Sequence, residues 1–482
     1  MSSISVREFL QSTSHEDETD PLFTISNRFS SENIRKDSQW LLRRHDTIFD
    51  HEYRYRSDHC VYPGVRPHFV NIHNVIVMVG LPARGKTYIA RKLCRYLNWG
   101  GICAKVVSVG QYRREAVGPD ITHEFFKKNN VEAEKIRLQS YEKALQDGAA
   151  WLKKEDRNKI LILDATNTTK KRRKYVYDFC EENQFQTFFI ESICDDPEII
   201  KGFIEELKIY SPDYVHIDQE KAAEDFKLRL QHYEETYQEI SDKCELERTF
   251  SYIKIINGGR QYLVNNINGY LQSHVVYYLM NIHAQSRSLY VTVHGECEYN
   301  VMKELGGHSG LTETGKKFAK ALQQYVAEEN LTDLRVWTSS LTGNRETASY
   351  IPQPSEVWRA LDYLDYGECH GAKFSELAER FPGIFTNSKG PLDLHWRYPS
   401  GESYQDLLSR LEPVIMELER QHNVLVISHR TTVRCLMAYF LDHNPDEVAH
   451  IRVPLHTVFK LTPVAYGCRV EKVTLNDKGT LS

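Results

Sequence analysis

The chain has 482 residues, of which 41% are hydrophobic and 26% are charged. At roughly 100 to 200 residues per domain, this length predicts two or three folded units with sizeable cores and excludes a small scaffold stapled by disulfides. Lys and Arg number 61 against 66 Asp and Glu, a formal net charge of −5, so no global basic field attracts nucleic acid or an anionic membrane.

The cysteines and the start of the chain point to a reducing compartment. The ten cysteines are scattered, with Cys94 and Cys103 the closest pair, so the sequence has no C-x-x-C motif and no dense disulfide framework. The first residues are polar and acidic, unlike a signal peptide, and no apolar run nears the ~18 residues that a membrane span needs. We expect a cytoplasmic protein that is not embedded in a membrane.

The first 70 residues differ in composition from the rest. They are rich in Ser, Asp, Glu and Arg and have little helical or strand periodicity. Such a segment is typical of a flexible or partner-dependent extension. We expect residues 1–70 to be a flexible or regulatory extension and assign them no chemistry.

The next part of the sequence alternates between short apolar runs and helical patterns. Buried parallel strands are predicted at Val75–Val79, at Ile160–Leu163 and at Thr187–Ile190. Polar helices follow from about residue 197 to 247. Strands that alternate with helical stretches of roughly ten or more residues indicate βαβ units, so residues 71–285 are predicted to form a doubly wound α/β domain.

A second series of the same kind begins where the first ends. Strands are predicted at Leu289–Val293, Leu334–Thr338 and Val424–Ser428. This series predicts a second α/β domain at residues 286–470 and a short tail at 471–482. Both predicted domains have the size of independently folding units.

A phosphate-binding motif follows the first predicted strand. Residues 80–87 read G-L-P-A-R-G-K-T and fit the P-loop pattern G-x-x-x-x-G-K-[ST]. Gly80 and Gly85 let backbone N–H groups point at the phosphates of a nucleotide. Lys86 supplies a positive charge near the β- and γ-oxygens, and Thr87 presents a hydroxyl to Mg²⁺. We therefore expect nucleotide binding with Mg²⁺ as the cofactor.

Asp164 ends the second predicted strand. An acidic side chain at that place can bind Mg²⁺ or accept a proton from an attacking hydroxyl. Basic residues lie nearby in the sequence: Arg113 and Arg114 in G-Q-Y-R-R-E, and the run from Lys170 to Lys174. Two arginines after a strand are suited to clamp a second, phosphorylated substrate.

These motifs resemble the kinase half of the bifunctional 6-phosphofructo-2-kinase/fructose-2,6-bisphosphatase family. Four further segments carry the same resemblance: D-A-T-N-T-T, F-F-I-E-S-I-C, S-P-D-Y and D-Q-E-K. The resemblance extends over about residues 70–470 in the family's domain order. It implies transfer of the ATP γ-phosphoryl group to the 2-hydroxyl of fructose 6-phosphate, which makes a regulator of glycolysis. It also implies a homodimer.

The resemblance further implies site residues in the first half. Asp164 and Cys194 would belong to the active centre, and Lys208 would contact ATP together with the P-loop. Fructose 6-phosphate would be bound by Arg113, Lys127, Thr166, Arg172, Arg229 and Tyr233. Lys127 stands where the family has Arg, so it keeps the charge but loses the planar fork of donors, and weaker affinity for the sugar phosphate is expected.

Two histidines follow predicted strands of the second half, His294 in V-H-G-E-C-E-Y-N and His429 in I-S-H-R. They resemble the phosphoryl-accepting histidine and the second histidine of the histidine phosphatase superfamily, whose domains have a phosphoglycerate mutase-like α/β fold. The resemblance also implies phosphate contacts from Asn300, Arg397 and Arg434.

Several residues depart from that superfamily's pattern. Val293 replaces the Arg before the nucleophile, Gly343 replaces a second phosphate-binding Arg, and Tyr363 replaces the proton-donating acid. In the loop that holds the substrate's 6-phosphate, Asp393 replaces a Lys and Phe374 a Tyr.

The size of these losses predicts an inactive or very weak phosphatase. A positioned arginine contributes ~10³ to 10⁵ in rate to phosphoryl transfer, and a general acid ~10² to 10⁴. Even if the separate rate effects of these residues are far from additive, their combined loss is expected to abolish useful turnover. Arg345 is a candidate to replace one lost cation, and Asp362 or Asp365 to replace the acid.

Three other interpretations stay open at this point. Both activities could be live, as in the parent family. The chain could be a P-loop kinase of nucleic-acid ends, although it lacks basic stripes with interleaved aromatic residues. Finally, it could be a non-catalytic scaffold that binds ATP or sugar phosphate, a role that leaves Lys86, Thr87 and Asp164 without a purpose.

Overall fold

A computed structural model describes two compact units of the chain, one ending at residue 282 and the other beginning at residue 287. The predicted extension at 1–70, Phe374 and the last residues of the predicted tail lie outside the described residues. The described residues are 72–118, 121–154, 159–210, 213, 219–282, 287–306, 308–331, 333–373, 376–381, 390–464 and 467–475.

Six strands form the sheet of the first unit: β1 Asn74–Val79, β2 Ala104–Ser108, β3 Ile160–Asp164, β4 Gln186–Ile193, β5 Tyr252–Ile256 and β6 Gln261–Asn265. They lie in the order β2-β3-β1-β4-β5-β6. The first five are parallel, and β6 pairs antiparallel with β5 at the edge. The central strand β1 is buried along its whole length, as its apolar sequence predicts.

Helices connect the parallel strands of this unit, which confirms the predicted doubly wound α/β fold. Two of them begin at capping side chains: Asn130 accepts the N–H of Ala133 at 3.0 Å, and Thr169 accepts that of Arg172 at 3.2 Å. The helices are α1 Lys86–Trp99, α2 Val109–Val117, α3 Val131–Lys153, α4 Lys170–Glu182, α5 Pro197–Tyr210, α6 Gln219–Glu234, α7 Glu245–Arg248 and α8 Gly269–Leu279.

The second unit is also built on a six-stranded sheet: β7 Ser288–Val293, β8 Arg335–Thr338, β9 Ser355–Val357, β10 Asn423–Ser428, β11 Thr457–Val464 and β12 Gly467–Thr474. The order is β12-β11-β7-β10-β8-β9. β7, β10, β8 and β9 are parallel, and β11 pairs antiparallel with β7. Because β12 continues to Thr474, the sheet extends beyond residue 470, where the sequence predicted the domain to end.

The helices of the second unit are α9 Glu298–Met302, α10 Glu313–Glu329, α11 Thr342–Ser349, α12 Leu377–Arg380, α13 Tyr404–Arg420 and α14 Arg430–Phe440. His294 follows β7 and His429 follows β10. Because these strands are parallel neighbours, both histidines come to the same edge of the sheet.

Within the described ranges no helix is long and apolar enough to cross a bilayer.

A buried ion pair joins α4 to α7 in the first unit. Nε and Nη2 of Arg173 donate to Glu247 Oε1 at 2.8 and 2.6 Å. Nη1 of Arg173 donates to the carbonyl oxygens of Asn167 and Gln238 at 3.2 and 2.7 Å. The two side chains are 0% and 2% exposed, so the pair depends on this full set of hydrogen bonds to offset its loss of hydration.

We predict that Arg173→Met destabilises the first unit by about 3–5 kcal/mol, because it leaves the Glu247 carboxylate buried without its counter-charge. The neighbouring substitution Lys174→Met is the control. Lys174 pairs with Asp178 at the surface, where an ion pair contributes about 0–1 kcal/mol. Denaturant unfolding measures both free energies, and equal losses would contradict the importance of the buried pair.

Candidate functional site

The P-loop, residues 80–87, connects the central strand β1 to helix α1. Gly80 has φ +133°, and a β-carbon there would meet the carbonyl oxygen of Ser192 at 2.5 Å, so glycine is required. Its N–H donates to the carbonyl of Thr166 at 2.9 Å. Gly85 caps α1 in the left-handed region at φ 74°. The predicted loop therefore forms at a helix N-terminus, which favours a bound phosphate.

Lys86, Thr87 and Asp164 come together beside this loop. The Thr87 hydroxyl donates to Asp164 Oδ2 at 3.0 Å, and Lys86 Nζ donates to the carbonyl of Leu81 at 2.5 Å. Lys86 and Asp164 are each 7% exposed. Burial lowers the pKa of Lys86 to about 7 and raises the pKa of Asp164, and each charge partly offsets the shift of the other. The two groups thus form opposite charges largely removed from water.

The oxygens of Thr87 and Asp164 fit the requirements of Mg²⁺. This ion prefers oxygen ligands and is usually held by one or two protein groups together with the phosphates of the substrate. A hydroxyl and a carboxylate 3.0 Å apart at the P-loop provide such a pair. Among the described residues, no group of three or more His, Cys, Asp or Glu side chains could hold a metal alone. Thr87 and Asp164 are therefore the candidate protein ligands.

Three arginines converge on one buried carboxylate. The guanidinium groups of Arg113, Arg114 and Arg229 donate to Asp213 at 2.5, 3.1 and 2.9 Å. Burial alone would raise the pKa of Asp213, but the three cations hold that pKa well below its usual range. Positive charge exceeds negative charge in this cluster, which suits it to a phosphate. Asp213 had no predicted role, although it belongs to the S-P-D-Y motif.

An aromatic ring orders the same cluster. The guanidinium carbons of Arg229 and Arg113 lie 3.9 and 5.3 Å from the ring centre of Phe126. Tyr233 follows Arg229 by one turn on α6, and its ring centre is 5.9 Å from that of Phe126. The fold thus brings together Arg113, Arg229 and Tyr233, which the sequence predicted as sugar-phosphate residues. Nothing in the local sequence marked Phe126.

Other residues predicted for the sugar phosphate have different contacts. Lys127 is exposed and donates to Glu124 at 2.7 Å. The guanidinium carbon of Arg172 lies 4.4 Å from the ring centre of Tyr141. Lys208, predicted to contact ATP, belongs to helix α5, but its side chain lies outside the described residues.

A small cavity lies next to the P-loop. Its lining is mostly apolar and includes Ile89, Phe203 and Ile255, with Arg84 and Cys194 as further members. Burial raises the pKa of the Cys194 thiol, so this residue lines the cavity as a neutral group and not as a reactive thiolate.

His294 and His429 form the centre of the candidate site in the second unit. Their ring centres are 4.6 Å apart, and the residues are 5% and 7% exposed. Nδ1 of His294 donates to the carbonyl of Gly295 at 2.6 Å, which leaves Nε2 as the basic nitrogen. Burial lowers the pKa of His294 to about 4 and that of His429 well below its usual range. Both imidazoles are therefore neutral at neutral pH.

Three of the five departures from the phosphatase pattern lie around these histidines. Val293 is the last residue of β7 and is buried. Gly343 lies in the first turn of α11, beside His294. The ring of Tyr363 is 5.4 Å from that of His429. Burial raises the pKa of Tyr363 to about 12, so it is a poor proton donor at neutral pH.

The candidate replacements for the lost groups have other contacts. Arg345 is exposed on α11. Asp362 accepts hydrogen bonds from the N–H and the hydroxyl of Ser340, both at 2.7 Å. Asp365 is exposed and accepts the N–H of Gly367 at 2.9 Å. The Asp362 carboxylate is thus already engaged in holding the loop after β8.

The residues predicted for phosphate contacts in this unit all have partners within the unit. Their hydrogen bonds are those of Asn300 with Cys297 at 2.9 Å, Arg397 with Asp406 at 2.8 Å and Arg434 with the carbonyl of Ile451 at 2.8 Å. Asp393 accepts the N–H of His395 at 2.8 Å and so closes a local turn. These contacts stabilise the unit, whether or not a phosphate binds.

Sequence comparisons place both units in known families. The profile of 6-phosphofructo-2-kinase matches residues 64–286, and that of the histidine phosphatase superfamily (branch 1) matches residues 289–476. A 6-phosphofructo-2-kinase/fructose-2,6-bisphosphatase 3 from Rattus norvegicus is 51% identical over 411 residues, which are 85% of this chain and 73% of that protein.

Two further relatives extend the match over most of their own length. The 6-phosphofructo-2-kinase/fructose-2,6-bisphosphatase of Aquarana catesbeiana is 48% identical over 410 residues, 85% of this chain and 86% of that protein. A human 6-phosphofructo-2-kinase/fructose-2,6-bisphosphatase 4 is 48% identical over 406 residues, 84% of this chain and 86% of that protein. With the P-loop, the arginine cluster and the paired histidines in place, the chain belongs to the bifunctional 6-phosphofructo-2-kinase/fructose-2,6-bisphosphatase family.

Proposed function

We propose that the chain transfers the γ-phosphoryl group of ATP to the 2-hydroxyl of fructose 6-phosphate, and that its second unit hydrolyses fructose 2,6-bisphosphate weakly or not at all. The observation that carries this proposal is a contrast between two phosphate sites. In the first unit, Lys86 and three arginines supply positive charge near a P-loop. In the second unit, Val293 and Gly343 stand where the resemblance implies arginines.

The first unit has groups suited to the phosphates of ATP and to its metal ion. The P-loop with Lys86 suits the β- and γ-phosphates. Thr87 and Asp164 would hold Mg²⁺, which when bound neutralises charge on the transferred phosphoryl group.

The arginine cluster suits the 6-phosphate of the acceptor sugar. Buried guanidinium groups bind phosphate through charge-assisted hydrogen bonds, so Arg113 and Arg229 would fix the position of the sugar's 2-hydroxyl. The Asp164 carboxylate would either bind the metal or accept the proton of that hydroxyl. Burial raises the pKa of Asp164, which makes it the stronger base for the second role.

The second unit lacks the charge that phosphoryl transfer to His294 needs. Equatorial phosphoryl oxygens are stabilised by fixed positive charge, and each positioned arginine contributes ~10³ to 10⁵ in rate. The two imidazoles are neutral, and Tyr363 with a pKa of about 12 cannot replace an acid at neutral pH. The missing cations and the missing acid together support a very low rate of hydrolysis.

One observation favours a second candidate function, a residual bisphosphatase. His294 keeps a basic Nε2, because its Nδ1 donates to the carbonyl of Gly295. This is the protonation state that a nucleophilic imidazole requires. The family's ability to hydrolyse fructose 2,6-bisphosphate would then survive at a rate set by the missing arginines.

A homodimer is the oligomeric state that the resemblance implies, and the edge strand β6 is our candidate for the contact. Its sequence Q-Y-L-V-N has no charged residue, and Leu263 and Val264 are 45% and 43% exposed. Uncharged exposed edges readily pair with another strand.

We predict dimers in analytical ultracentrifugation and a shift toward monomers for Val264→Lys. Wild-type protein that sediments as a monomer at micromolar concentration would contradict this prediction.

We predict that the purified protein makes fructose 2,6-bisphosphate from ATP and fructose 6-phosphate. The Lys86→Met variant should slow this synthesis roughly 10²- to 10³-fold, because it removes the positive charge at the β- and γ-phosphates. Lys153→Met is the matched control, since Lys153 lies at the exposed end of α3. Product formation from labelled ATP measures the rates, and the absence of ATP-dependent product would rule out the kinase.

The same preparation serves to measure hydrolysis of labelled fructose 2,6-bisphosphate. We expect a rate near that of His294→Ala, because the cations around His294 are missing. Rapid hydrolysis that His294→Ala abolishes would show a fully bifunctional enzyme instead.

The buried histidines predict a pH dependence of stability in the second unit. The folded pKa of His294 is about 4 against 6.5 for an exposed histidine, so the folded state binds fewer protons than the unfolded chain between these values. The stability that the neutral imidazole confers is complete above pH 6.5 and is lost as the pH falls toward 4. Thermal unfolding should therefore shift to lower temperature on acidification, and less so in His294→Asn than in the exposed-site control His395→Asn. Equal pH dependence in both variants would refute the assignment.

A further inference from the structure

A thiol fills the space next to Gly343, the position at which the resemblance implies an arginine. Gly343 lies in the first turn of α11. A β-carbon built on it would run into Cys297 Sγ, with the carbonyl oxygen of Ser309 at 3.4 Å and His294 Nδ1 at 3.8 Å. Any side chain at position 343 must therefore pass through the place that the thiol now holds.

The thiol of Cys297 is fixed in that place. Its Sγ lies 3.2 Å from Nδ1 of His294 and donates to the carbonyl of Gly295 at 3.4 Å. Cys297 is 4% exposed and is the N-cap residue of α9, where its N–H donates to Asn300 Oδ1 at 2.9 Å. Turning the thiol away from position 343 would therefore break its contacts with His294 and Gly295.

We infer that Cys297 fills the room that a phosphate-binding side chain at position 343 would need, and that this thiol keeps the site beside His294 closed to such a side chain. The inference rests on the proposed loss of bisphosphatase activity. It adds that the missing arginine is not the only change at this site, because the space for its side chain is filled as well. An arginine restored at position 343 would find its place taken, so the two positions must change together.

The same contacts explain why the nucleophile itself is intact. The carbonyl of Gly295 and the thiol of Cys297 both meet His294 at Nδ1. Neither contact involves Nε2, the nitrogen on which a phosphoryl group would be carried. Cys297 therefore occupies the place of the counter-charge without making a contact at Nε2.

A double-mutant cycle with Gly343→Ala and Cys297→Ala tests the steric part. Alanine normally stabilises a helix relative to glycine. Here we expect Gly343→Ala to lower the melting temperature of the second unit when Cys297 is present, and to leave it unchanged or raise it in the Cys297→Ala background. Gly202→Ala in α5 is the control for helix propensity, because a β-carbon there meets nothing within 4 Å.

Inorganic phosphate provides the functional readout. Affinity for phosphate is measured by ³¹P NMR for Gly343→Arg and for the double variant Gly343→Arg/Cys297→Ala. We expect at least tenfold tighter binding by the double variant, since only there can the guanidinium reach His294. Hydrolysis by the wild type would overturn the proposed function but not this inference. The inference itself fails if Gly343→Ala has the same effect in both backgrounds, or if removal of the thiol leaves phosphate affinity unchanged.

Discussion

Positive charge held away from water is the constraint on which both halves of this protein depend. A phosphoryl group moves readily only where fixed cations meet its oxygens, yet a cation in a protein interior needs a negative partner to offset its lost hydration. The first unit satisfies both conditions twice. Asp164 accompanies Lys86, and Asp213 accompanies the arginine cluster. Each carboxylate stabilises its cations in the absence of substrate, and the arginine cluster keeps surplus positive charge for a phosphate.

The arrangement of the sheets brings these groups together. In an open parallel sheet, the residues that follow the strands collect at one edge. β1 leads into the P-loop, β3 ends at Asp164, and Cys194 follows β4, three neighbouring strands of the first sheet. In the second sheet, β7 and β10 place His294 and His429 side by side in the same way. Residues far apart in sequence thus meet because the strands that carry them pair.

The sequence predicted those features that depend on local patterns. Apolar runs indicated β1, β3, β7 and β10, and the P-loop motif identified Lys86 and Thr87. Features that depend on tertiary contacts have no recognisable pattern in the local sequence. β9 consists of three exposed residues, S-E-V, which carry no strand periodicity. Asp213 meets Arg113 across 100 residues of chain, so no spacing rule marks it. The proximity of the Cys297 thiol to Gly343 was not predicted for the same reason, since the two residues are far apart in sequence.

The histidine pair also belongs to the structural framework of the second unit. The N–H of His294 donates to the carbonyl of Ser428 at 3.1 Å, which links the ends of β7 and β10. His429 is the N-cap residue of α14, and its ring is hydrogen bonded to the buried Asn344 at 2.6 Å. Both histidines therefore belong to the framework of the sheet and would be costly to replace even in a domain without turnover. The presence of the nucleophilic histidine therefore shows that the scaffold is intact. Whether the site can catalyse phosphoryl transfer depends on the charged groups around that histidine.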